Sequence, residues 1–272
     1  MPLTVRNVKV HLVDEGSGPP TLFLHGNPDS ADLWKGVIAP LSKNFRCLAP
    51  DLPGFGRSSA PADFDYSLQS MADFIDGLIT AIGIQEPLNL ATHDLGTSFG
   101  LSWAIKHPNK VKRIAISNAM FFSDYRWHFW GQVWRTPLVD ELSMILMNWL
   151  IFKLEMRRSS RKLTAEHIRN TYALLSGPMK KMIVRLYRAS TPQLFAGWED
   201  ELLALTKNIP TCVLWGDCDT YIPSRYAERF GAQQVHHFPD CGHWLPAEAS
   251  NDVAAHLLKF FAWSPLDIGF AT

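Results

Sequence analysis

Short apolar runs at 8–13, 20–24, 46–49, 88–91, 113–117, 212–215 and 234–238, most of them hydrophobic without alternation and bounded by turn formers, constrain this chain more than any other feature. Unbroken hydrophobicity, as opposed to alternation, marks strands buried on both faces, and the amphipathic stretches between most runs supply helices to bury them. Between the third and fourth runs Met71, Phe74, Ile75, Leu78 and Ile82 recur at helical spacing. Ser67 is placed to cap that helix and Gly83 to stop it. A largely parallel sheet with helices on both faces follows.

From about 120 to 207 the strand rhythm gives way to a helical, aromatic-rich segment. We read it as a cap inserted into one domain whose core is 1–119 and 208–272, since 272 residues suffice for a single large core. The apolar stretch 144–152 is about half of what a bilayer needs and reads as a buried cap helix. Arg157, Arg158, Arg161 and Lys162, interrupted by Ser159 and Ser160, read as a solvated loop before Thr164, the cap of the next helix.

Lys plus Arg equals Asp plus Glu at 26 each. No net field draws the chain to nucleic acid or a membrane, so the expected partner is a small neutral apolar substrate, with a homodimer left open. Cys47, Cys212, Cys218 and Cys241 form no CxxC pair and read as free thiols. His236 and His237 are neighbours on a strand, face opposite ways and cannot share an ion, so no metal is expected. Residues 1–6 lack the charged-then-apolar pattern of a signal peptide, and the expected compartment is the cytoplasm.

Leu90-Ala91-Thr92-His93-Asp94-Leu95-Gly96 sets a strand end, a sharp turn and a helix start in sequence, which would raise Asp94 above the sheet on a nucleophile elbow. A rival register, Gly96-Thr97-Ser98-Phe99-Gly100, would make Ser98 the nucleophile. It requires the strand to run on through Asp94 and leaves only about two helical turns before Pro108, whereas the Asp94 register leaves thirteen residues, Leu95 to His107.

Five segments, Leu24-His25-Gly26-Asn27-Pro28, Asp51-Leu52-Pro53-Gly54-Phe55-Gly56-Arg57-Ser58, His93-Asp94-Leu95-Gly96, Trp215-Gly216-Asp217-Cys218-Asp219 and Cys241-Gly242-His243-Trp244, together resemble the epoxide hydrolase and haloalkane dehalogenase branch of the α/β-hydrolases. The likeness spans nearly all of the chain outside the cap. It implies a mostly parallel eight-stranded sheet with the cap after the sixth strand, and no cofactor. It also implies a nucleophile, an acid and a histidine in that chain order, falling on Asp94, Asp219 and His243, with Asp217 as the rival acid. The backbone N–H groups of Asn27 and Leu95 would form the oxyanion hole.

An aspartate nucleophile has its own logic. A carboxylate is ionised at neutral pH and attacks without a base, but attack on an acyl carbon gives only a reactive anhydride, so displacement at an sp3 carbon suits it. The resulting ester needs a positioned base such as His243 to activate water. Dehalogenases of the resembled branch hold halide with a tryptophan directly after the nucleophile, where this chain has Leu95, although Trp127, Trp130 or Trp134 could substitute. Epoxide hydrolases use cap tyrosines to protonate the ring oxygen, and Leu186-Tyr187-Arg188 resembles one such element, with Tyr125 or Tyr172 as the second. Tyr187, Trp127, His128, Tyr125 and His93 are therefore expected to border substrate. A serine esterase through Ser98 and a non-catalytic ligand receptor are the remaining readings.

Overall fold

The computed structural model describes residues 3–262; the ends of the two expected core segments, 1–2 and 263–272, lie outside them. The run at 8–13 does not form one strand. Arg6 and Asn7 take φ values of 48° and 64°, and the chain doubles back there. As a result β1 (Thr4–Val5) pairs with β2 (Val8–Lys9) in a separate hairpin, and β3 (Leu12–Glu15) begins the main sheet.

That sheet continues with β4 (Pro20–Leu24), β5 (Arg46–Pro50), β6 (Leu88–His93), β7 (Val111–Ser117), β8 (Thr211–Gly216) and β9 (Gln234–Phe238). Its order is β3-β5-β4-β6-β7-β8-β9, with β3 antiparallel to β5 and the other pairs parallel. The fold class is as expected, but the main sheet has seven strands where eight were expected. Consequently the helical insertion follows its fifth strand, β7.

Alternate residues of the strands feed two apolar cores, as the pleat requires. Leu22, Leu48, Leu90, Ile114 and Val213 pack toward α2 (Leu68–Ile82) and α3 (Leu95–Lys106), while Phe23, Ala49, Ala91 and Leu214 join the cluster of α1 (Lys35–Leu41). In α2 the Ser67 hydroxyl accepts the Ser70 N–H at 3.2 Å, and Gly83 at φ 78° ends the helix. Met71, Phe74, Ile75 and Leu78 are fully buried, each worth roughly 1.5–3 kcal/mol. Every residue of α3 from Leu95 to Ala104 is buried. This helix lies in the interior with no solvated stripe, which fixes the base on which Asp94 stands.

Between β7 and β8 lie α4 (Phe129–Val133), α5 (Val139–Leu146), α6 (Trp149–Ser159), α7 (Ala165–Leu174), α8 (Gly177–Ala189) and α9 (Trp198–Asn208), the last packed on α3. The run 144–152 is two helices and not the single buried one expected. Asn148 breaks it, its side chain accepting the N–H groups of Leu150 and Ile151 at 3.0 and 3.2 Å. Met144, Met147 and Phe152 face inward, whereas Ile145, Leu146 and Leu150 are exposed. Nor is 157–162 simply a solvated loop, because Ser159 and Ser160 are buried at its centre. After β9 the chain closes with α10 (Leu245–Glu248) and α11 (Ser250–Ala262), the latter packed on α1.

Candidate active site

Asp94 sits between β6 and α3 at φ 50°, ψ −129°, a backbone state rarely open to a residue with a side chain. Strain of this kind costs about 1–3 kcal/mol and persists only where neighbours impose it. Two glycines make room. A Cβ on Gly96 would run into the carbonyls of Leu24 and His25, and one on Gly26 into the Asp94 side chain itself.

The carboxylate Oδ2 of Asp94 accepts the Asn27 N–H at 2.8 Å. Burial pushes its carboxyl above the ordinary range, opposed by the charge of His243 and by the N–H groups of Asn27 and Leu95. The backbone N–H groups of Asn27 and Leu95 therefore both reach the Asp94 carboxylate. Ser98, by contrast, lies within α3 and donates its hydroxyl to the Met120 carbonyl at 2.9 Å.

His243 stands on the loop after β9, its Nδ1 2.7 Å from Asp219 Oδ2. The other Asp219 oxygen accepts the N–H groups of Tyr221 and Ile222 at 2.7 and 3.0 Å. Burial alone would raise the Asp219 carboxyl, but His243 and these N–H groups hold it below the ordinary range. For His243 burial works downward, yet Asp219 and Asp94 outweigh it and the imidazole is pushed up to about 9. Asp217 pairs instead with His237 at the surface, 2.6 Å away.

One cavity joins Asp94 and His243 to the cap residues Tyr125, Trp127, His128 and Tyr187. Its free volume is about 60 Å³, room for a handful of waters. Tyr187, on α8, is buried, and its hydroxyl accepts from Asn27 Nδ2 at 3.3 Å. Tyr125 donates its hydroxyl to the Tyr221 carbonyl at 3.0 Å and accepts the His128 N–H, so its proton is already engaged. Tyr172 is absent from the cavity wall and packs on Trp149 and Phe152.

His93 is a correction. It does not border the cavity; it is fully buried beneath the histidine loop, with Nε2 2.8 Å from the His243 carbonyl. Burial and the nearby His243 push it down to about 3, which keeps it neutral. Its ring packs against that of His243 with centroids 4.8 Å apart, so it supports the histidine from beneath without reaching the cavity.

Several site residues escaped the sequence reading. Asn118, next after β7, donates to Asp219 Oδ2 at 3.0 Å and accepts the Gly216 N–H at 2.9 Å. Its signal was available, since a polar residue directly after a buried strand lies where such sheets place ligands. Tyr221 stacks edge-on against His243 with ring centroids 5.0 Å apart and donates to Glu155 of α6 at 3.0 Å. Glu155 lines the cavity and is held ionised against burial by Arg158, Trp130 and Tyr221. Cap and histidine loop are also stitched together: the His243 N–H donates to the Ser159 carbonyl at 3.1 Å and the Trp244 N–H to Ser160 Oγ at 3.0 Å. Among the described residues no group of three or more His, Cys, Asp or Glu is placed to hold a metal ion.

Comparison with known proteins agrees with this architecture. A family model for the alpha/beta hydrolase fold matches residues 19–143. The chain is 27% identical over 271 residues to a cis-3-alkyl-4-alkyloxetan-2-one decarboxylase of Shewanella oneidensis, covering 93% of this chain and 85% of that one. Haloalkane dehalogenase 2 of Mycobacterium bovis is likewise 27% identical, over 266 residues, 93% of this chain and 91% of the relative. Epoxide hydrolase 3 of Mus musculus is 26% identical over 282 residues, 95% of this chain and 75% of that protein. The chain is an enzyme of the α/β-hydrolase fold, similar in sequence to haloalkane dehalogenases, epoxide hydrolases and an oxetan-2-one decarboxylase.

Proposed function

We propose that the chain hydrolyses a small apolar epoxide through a covalent ester on Asp94. The carboxylate attacks a ring carbon, the C–O bond breaks, and the departing oxygen takes the Tyr187 proton. His243, oriented by Asp219, then removes a proton from water as that water attacks the Asp94 ester carbonyl. Negative charge on the tetrahedral oxygen falls on the Asn27 and Leu95 N–H groups; on collapse the departing alkoxide takes the proton held by His243, the proton left on the Asp94 carboxyl returns to the Tyr187 oxygen, and the diol leaves with the carboxylate restored. Alkylation removes the charge of Asp94, one of the groups that keep His243 protonated, so the base is readied by the first half-reaction.

The observation that carries this reading is the pairing, in one cavity, of an elbow carboxylate with a hydroxyl whose proton has no acceptor among the described residues. Tyr125 and Tyr221 donate to the Tyr221 carbonyl and to Glu155, which leaves Tyr187 to serve a leaving oxygen. The reading extends naturally to other strained oxygen rings, the class named for the Shewanella relative. A halide leaving group is the second reading, favoured by the indole N–H groups of Trp127 and Trp134, which are buried without an acceptor beside Tyr187. Turnover of epoxides, oxetan-2-ones and bromoalkanes by wild type and Tyr187→Phe separates the two. Loss of about 100-fold on the oxygen rings supports the acid role. Undiminished ring opening, or turnover of bromoalkanes alone, overturns it.

A further inference from the structure

Among the described residues, eight of the ten large apolar side chains left exposed fall between Phe129 and Leu154, in the cap. They follow helical faces. On α5 and the residue before it, Leu138, Leu142 and Ile145 recur at i, i+4 and i+7, opposite the buried Asp140 and Met144. On α6, Leu150 and Leu154 share an arc of about 100° with Lys153 and Arg157, opposite Phe152 and Met156. Met144, Phe152 and Met156 all line the substrate cavity. Both helices therefore turn one apolar face inward to one cavity, and their second apolar faces outward from the cap.

The unpaired charges around this outer surface are cationic. Lys153, Arg157 and Arg161 form no ion pair with any described residue, and the acidic neighbours are engaged, Glu141 by Arg188 and Glu155 by Arg158. A net charge of zero over the whole chain conceals this local excess. A second copy related by a two-fold axis would set the cations against themselves. An anionic bilayer surface satisfies both halves of the pattern, taking leucines at the acyl boundary and cations among the headgroups. No described helix is long and apolar enough to cross a membrane.

We infer that the outer face of α5 and α6 docks on anionic lipid bilayers, so that the enzyme meets apolar substrate where such molecules concentrate. This inference does not depend on which leaving group the cavity serves. Its test is flotation of the intact protein with vesicles of phosphatidylglycerol and phosphatidylcholine, and with phosphatidylcholine alone, alongside analytical ultracentrifugation without lipid. The wild type is expected to float with the anionic vesicles and lose most of that binding in phosphatidylcholine or high salt. Leu142→Glu/Ile145→Glu, at exposed positions off the cavity, should reduce binding at least tenfold, and Lys153→Gln/Arg157→Gln about tenfold, with melting temperature unchanged. Absence of flotation by the wild type overturns the inference. So does a lipid-free dimer that the Leu142/Ile145 variant dissociates, because the face would then belong to a second copy.

Discussion

The two walls of the cavity are built on different principles. Beneath it, Asp94, Asn27 and the loop carrying His243 stand at the ends of parallel strands, each locked by backbone hydrogen bonds and glycine close approaches. Above it, α4, α5, α6 and α8 contribute side chains, and α5 and α6 carry apolar residues on more than one face. On the proposed mechanism, covalent chemistry takes its fixed geometry from the sheet, and substrate selection and access fall to a cap whose contacts can vary without disturbing that geometry.

If this division holds, variants in the core should affect turnover far more than variants in the cap stitching. Asp94→Asn should lower kcat by more than about 1000-fold, while Ser98→Ala, which loses only the bond to Met120, stays within about threefold. The reverse would move the nucleophile into α3 and break the comparison at its strongest point.

Charge in the core gives the next effect. The folded His243 pKa lies above its unfolded value of 6.5, at about 9. Its contribution is therefore fully present below pH 6.5 and lost as pH rises through 9, up to about 3 kcal/mol. Melting temperatures from pH 6 to 10 should fall more steeply for wild type than for His243→Gln. Equal slopes would mean that the imidazole is not held charged by Asp219 and Asp94.

Smaller again is the effect expected at the seam between the walls. Ser160→Ala removes the acceptor of the Trp244 N–H and should cost about 1 kcal/mol of stability. Because it acts through the His243 loop, it should lower kcat several-fold with little change in KM and displace the pH profile of kcat. A KM effect alone would assign Ser160 to packing of the cap.

The same division explains what could be read from the sequence. Core strands have one solution: an apolar run bounded by turns, with small residues around Asp94, fixes strand, elbow and helix together. Even so, the strand expected at 8–13 splits, because Arg6 and Asn7 form a tight turn that hydrophobicity alone does not reveal. In the cap, apolar residues on both faces of α5 and α6 leave periodicity unable to say which face meets the cavity. Ser159 and Ser160 look like a polar break in a basic run and prove to be buried against the histidine loop, a contact made across 84 residues of chain that no local pattern encodes. His93 differs from expectation for a related reason: adjacency in sequence to Asp94 does not bring it to the cavity, because the His243 loop covers it.

Everything in this account turns on Asp94 forming a bond to carbon. Intact-mass and peptide spectrometry of His243→Gln after incubation with a panel of small epoxides and bromoalkanes tests it directly, because loss of the base should stall the second half-reaction. The account predicts a stable adduct with the mass of a whole epoxide, located on the peptide carrying Asp94. Steady turnover by that variant with Asp94 unmodified, or an adduct found on Ser98, would contradict it.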